Sequence, residues 1–148
     1  MFIRPKVLGQ RGDTIVEVLI AIAVVSLILG GAFVTTNKSL VATRTSEEQG
    51  NATKLTQGQI EFLKSIIASS PNTIDTAPTN FCVTSASTVA ASSSGACKVD
   101  STGAPTTAEP IYNLNISRSG DTFTVRTTWN SLSKTGTNTV QMVYRIYD

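Results

Sequence analysis

The stretch GQRGDTIVEVLIAIAVVSLILGGAFV, Gly9 to Val34, decides how this chain is organised. Val18 to Val34 is uncharged and almost wholly apolar, and with Thr14 to Glu17 the run reaches 21 residues. At 1.5 Å per residue such a helix is about 31 Å long, the thickness of a bilayer core. Arg4, Lys6 and Arg11 precede the run closely, while Lys38 and Arg44 follow more sparsely. The positive-inside tendency then puts the amino terminus in the cytoplasm and the rest outside. Ordinary secretory cleavage falls after an apolar stretch at small residues, and Gly30, Gly31 and Ala32 offer such a site. The length of the run and the glutamate near its start argue against that reading.

Glu17 is the feature that needs a reason. Thr14-x-x-Glu17 fits a capping box, with threonine as N-cap and glutamate reaching back from N3. A negative charge in the first turn also suits the helix dipole, by about 0.3–1 kcal/mol. A charge in hydrocarbon costs up to about 3 kcal/mol at a helix centre, less near the end. Capping hardly offsets that, and intramembrane carboxylates usually have a partner.

QRGDTIVEVLIAIAVVSLIL, with its basic leader, glycine, glutamate spacing and unbroken apolar run, resembles the class III signal of type IV pilins and pseudopilins. The resemblance covers about 30 residues closely and the rest only in architecture. It implies that a prepilin peptidase cuts between Gly12 and Asp13 on the cytoplasmic side, and that Asp13 becomes the methylated amino terminus. It makes Glu17 the fifth mature residue, whose expected partner in assembly is the terminal ammonium of a neighbouring subunit. Opposite charges make it cheaper to keep both groups ionised in low dielectric. The chain departs from the family in two places. Asp13 stands where phenylalanine or methionine is usual, and Gly30-Gly31 stands near the place of a common helix-kinking proline. The glycines read either as a close-packing surface or as a weak point that melts during assembly.

The implied organisation is a basic leader over 1–12, a transmembrane and filament-core helix over 13–36, and an extracytoplasmic head over 37–148. The implied partners are the prepilin peptidase, membrane lipid before assembly, and copies of the chain and other pilins in a filament. The chain is expected at the cytoplasmic membrane first and on the cell surface afterwards. The expected function is that of a major or minor pilin. A pseudopilin of a type II secretion or DNA-uptake machine is the alternative, and a monomeric membrane-anchored binding module is the reading from another class.

Composition argues against catalysis. There is no histidine, which removes the commonest general base and the commonest zinc ligand. No metal-ligand spacing, nucleophile elbow or phosphate loop is present, so no catalytic residue, metal or cofactor is expected. The formal charge of +2 belongs to the leader: without its three basic residues, nine basic residues face ten acidic ones. No basic–aromatic cluster suggests a nucleic-acid site. Cys82 and Cys97 allow one pairing, which can persist outside the cell, against the alternative of two free thiols.

The remainder reads as α+β: a long amino-terminal helix, apolar in its first half and amphipathic in its second, on an antiparallel sheet of about three to four strands. Leu55, Gln59, Phe62, Leu63, Ile66 and Ile67 follow the spacing of one buried helix face. SSPN at Ser69–Asn72 is the stop signal, so one helix over Thr14 to Ala68 is expected, or two with a break at Gly50. IYNLNIS, TFTVRTTW and TVQMVYRIY alternate with period two and read as a three-stranded meander, with hairpin signals at RSGD and SLSKTGTN. NFCVTS is a fourth, short strand. Trp129 is expected in the core.

Overall fold

The computed structural model describes residues 13–85, 88–130 and 136–146. Two compact units divide the chain, Met1–Ala42 and Thr43–Asp148. Helix α1 spans Asp13–Ser69, 57 residues without a break at Gly50. It ends where the sequence signals a stop. Ser70 donates the last bond, to Ile66 O at 2.7 Å, and then turns to φ −152°. The residue before a proline is sterically barred from the helical region, while a proline is well placed to open a helix. Pro71 opens the short helix α2, Pro71–Asp75.

Six strands follow: β1 Asn80–Ser85, β2 Thr88–Ala91, β3 Lys98–Val99, β4 Tyr112–Ser119, β5 Thr122–Asn130 and β6 Thr137–Arg145. They form one antiparallel sheet in the order β2-β1-β4-β5-β6, with β3 also paired to β4. The meander β4-β5-β6 is the one expected from alternation. Along β5, Phe123, Val125, Thr127 and Trp129 are buried in turn, and along β4 so are Tyr112, Leu114 and Ile116. Gly120, at φ +59°, turns β4 into β5 at the RSGD signal. That left-handed conformation is one glycine adopts without a steric penalty. Of the other hairpin signal, SLSKTGTN, residues 131–135 lie outside the described residues, as does Tyr147 of the last strand signal.

The sheet is larger than the three to four strands expected. The two additions, β2 and β3, come from a region poor in bulky side chains and too short for alternation to register. β2 has only Val89 and Ala90 as half-buried positions between exposed Thr88 and Ala91. Strand β3 is two residues long.

Phe81, Cys82 and Val83 are all buried, so β1 is covered on both faces and reads as a continuous apolar run. Cys82 and Cys97 form the disulfide, with Cα atoms 5.7 Å apart. On the chain-entropy account, a bridge closing a loop of this size stabilises by about 3 kcal/mol. Replacing both cysteines by alanine is therefore expected to lower the urea midpoint by the equivalent of about 3 kcal/mol. An unchanged midpoint would refute that account.

Within Thr43–Asp148, the helix stripe against the sheet is Ala52, Thr56, Gln59, Leu63 and Ile66. It is rotated from the expected face: Leu55 and Ile67 are half-buried, and Phe62 is exposed. Two polar residues sit at its centre because the sheet supplies their partners. The hydroxyls of Thr56 and Thr127 share a hydrogen bond of 2.7 Å, and Thr56 Oγ1 also bonds to Ala52 O at 2.7 Å. Gln59 Nε2 donates to Val83 O and Gln59 Oε1 accepts from Val83 N–H, both at 2.8 Å.

The reason for the second pair lies in the sheet. Strand β1 pairs with β4 only at Asn80–Ser117 and Phe81–Ile116, then diverges, while β3 takes β4 at Tyr112 and Asn113. Val83 is thereby left without a β4 partner, and the carboxamide of Gln59 stands in for a strand. Buried backbone polar groups are nearly always paired.

Trp129 is core, as expected. Its ring lies 5.9 Å from that of Tyr112, and its Nε1 donates to Glu48 Oε2 at 3.1 Å. Burial pushes the Tyr112 phenol above its usual pKa, with the nearby Asn51 side chain opposing the rise and the Glu48 charge adding to it.

Candidate assembly surface

Residues 13–42 carry the features that the sequence marks as functional. Gly12 and the rest of residues 1–12, the expected leader with its expected cleavage position, lie outside the described residues. Asp13 is already helical. Thr14 therefore sits inside α1 and not at its N-cap, and the capping box expected of Thr14 and Glu17 is not formed. An N-cap has non-helical backbone, and a helix that reaches past Thr14 removes that geometry.

That correction changes the account of Glu17. Its side chain stands out from α1 and has no ion-pair partner among the described residues. It is the only charge between Asp13 and Lys38. Beyond it, from Val18 to Val34, the surface is apolar on nearly every side. Each large apolar side chain from Ile15 to Val34 is at least 48% exposed, and Leu27 reaches 77%. Helices apolar all round belong in a large core, in a membrane or in a bundle of their own kind. Over this span α1 is long and apolar enough to cross a membrane.

The hydroxyls of Ser26, Thr35 and Thr36 are satisfied within the helix. Ser26 Oγ donates to Ile22 O at 2.8 Å, and Thr35 and Thr36 Oγ1 each donate to Ala32 O at 2.9 Å. This suits a segment surrounded by hydrocarbon, where water cannot pair with them. Gly30 and Gly31 are continuous helix, and a Cβ at either would meet nothing within 4 Å. They leave a smooth strip on α1.

The second unit offers no cluster of three or more potential metal ligands among the described residues. One of its turns is built on Asp100, whose Oδ1 accepts from Thr102 N–H at 2.7 Å, Thr102 Oγ1–H at 2.6 Å and Ala104 N–H at 3.1 Å. The Thr102 hydroxyl and then its amide hold the carboxyl below the usual range. The turn shapes the chain leading from β3 towards β4. Sequence reasoning did not single out Asp100, although an aspartate followed by S-T-G is a recognisable turn signal.

Comparison with known protein families, with curated proteins and with solved structures found no match. The case for a function therefore rests on the residues themselves.

Proposed function

We propose that this chain is a structural subunit, a major or minor pilin, of an extracellular type IV pilus-like filament. The observation that carries the reading is Glu17, the sole charge in an apolar span and the fifth residue after Gly12. A prepilin peptidase removes 1–12 on the cytoplasmic side, and Asp13 becomes the methylated terminus. The subunit waits in the membrane, held by the apolar part of α1 in lipid. On assembly the same surface leaves lipid for the equivalent surfaces of other subunits, and the head stays outside, closed by its disulfide.

Two physical points support this. A surface apolar all round can exchange lipid for like helices at little cost, since hydrocarbon and leucine side chains are equally apolar. An unpaired carboxylate at that depth is costly, which favours a state that supplies a cation. Mass spectrometry of the membrane-extracted chain is expected to show a terminus at Asp13, with the mass of a methyl group added. A chain beginning at Met1, or one beginning after Gly31, would count against the proposal. The first outcome leaves an anchored module; the second leaves a secreted head.

A further inference from the structure

We infer that the outer edge of β6 is an association surface for a second copy of this chain, which pairs there antiparallel, β6 against β6. Among the described residues, strand β6 ends the sheet and pairs as a strand only with β5, in unbroken register along its nine residues. Ile146 N–H donates to Asp121 O on the β5 side. Backbone groups alternate along a strand, so even-numbered residues face β5. Thr137, Thr139, Gln141 and Val143 turn their N–H and C=O outward.

Natural edges are usually blunted by proline, lysine, a bulge or shortness. Strand β6 carries none of these. The opposite edge does: β2 is four residues long, and its pairing with β1 shifts register between Val83 and Ser85. Val143 adds an independent sign. Among the described residues of Thr43–Asp148, only Val143, at 60%, and Phe62, at 42%, are exposed large apolar side chains.

The strand fits itself. With Gln141 opposite Gln141 of the second copy, Thr139 faces Val143 on either side of it. Every such pair joins two outward-facing residues, so the ladder is in phase. No like charges meet, and β-branched side chains sit opposite one another, which favours pairing. Strand β2 is a poorer partner. It runs in the same direction as β6 within the sheet, so sheets laid side by side in one orientation give a parallel pair of four residues at most.

The pairing has two-fold symmetry. Subunits of one filament all point the same way, so the contact would join heads of neighbouring filaments. Only that consequence rests on the pilin reading; the dimer contact does not.

Register-specific cross-linking tests the contact. Both native cysteines are in the disulfide, so an added cysteine is the free one. Directly opposed residues of a hydrogen-bonded antiparallel pair have Cα atoms about 5.5 Å apart, within disulfide range. The full chain in mild detergent is oxidised and run on a non-reducing gel, with Trp129 fluorescence as the check of folding. Gln141→Cys is expected to form covalent dimer at least about tenfold faster than Thr139→Cys or Val143→Cys alone, as opposed sites outpace distant ones. Mixing the Thr139→Cys and Val143→Cys chains should give the mixed dimer. Equal cross-linking at all three positions, or none at Gln141→Cys, overturns the inference. The terminus of the same material, read by mass, reports separately on processing at Gly12.

Discussion

Gln59→Leu is expected to cost the head about 2–6 kcal/mol, a loss of the same order as the whole stability of a small domain. The substitution keeps roughly the volume of the side chain and improves its apolar character, so a view of α1 as a greasy stripe predicts a gain. The structure predicts the reverse. Val83 N–H and C=O are buried and have Gln59 as their partner, at 2.8 Å each. Each buried backbone group left without a partner costs about 1–3 kcal/mol. Gln59→Glu should fall between: its carboxylate still accepts from the Val83 amide but faces the Val83 carbonyl with no proton to offer. Urea denaturation of the full chain in detergent, followed by the fluorescence of the single tryptophan, measures the difference. A loss under about 1 kcal/mol for Gln59→Leu would show that β1 re-pairs with β4 and needs no surrogate strand.

The same residue shows where reading a sequence stops. Period-two alternation placed β4, β5 and β6, because one face of each is buried and the other is not. Alternation classed Thr127 by its type, and so missed that it lies on the buried row between Val125 and Trp129. Helical spacing placed Gln59, Leu63 and Ile66 on the buried face of α1, but it included Phe62, which is exposed, and missed Ala52 and Thr56. The true centre, Thr56 and Gln59, is polar, and a polar residue looks like core only once its partner is known. Those partners are 71 and 24 residues distant in the chain, and no local pattern carries such a relation. β2 and β3 were missed for a related reason. β2 exists because β1 has an edge to offer and β3 because β4 does, and their own side chains hardly specify them. At the amino-terminal end the balance is different. The span, its single charge and its uncovered surface were all legible, since they depend on composition and not on tertiary partners. The capping box was the exception, because local motifs compete with the helix extending past them.

Glu17→Gln is expected to leave the head folded and processing at Gly12 intact, while surface filaments disappear. The substitution keeps size, polarity and helix propensity, so it removes the charge and little else. In the proposed filament the carboxylate meets a terminal ammonium between packed apolar helices. Taking one partner from such a buried pair costs about 3–5 kcal/mol, chiefly through the charge left behind. At 1.4 kcal/mol per factor of ten, each subunit contact weakens by roughly two orders of magnitude or more. That penalty recurs at every addition, so growth fails as a whole. Asp13 supplies the sharper control. Asp13 is the residue that the proposal makes the terminus, four positions before Glu17 in the sequence, and its carboxylate would offer the ammonium a second anion. Asp13→Asn alone should therefore leave filaments present, and the double variant should be no worse than Glu17→Gln. Filament counts by electron microscopy, with the head labelled by antibody, read all three. Normal filaments on Glu17→Gln cells would exclude the charge pair. Filaments lost only in the double variant would make Asp13 an equal partner and Glu17 dispensable by itself.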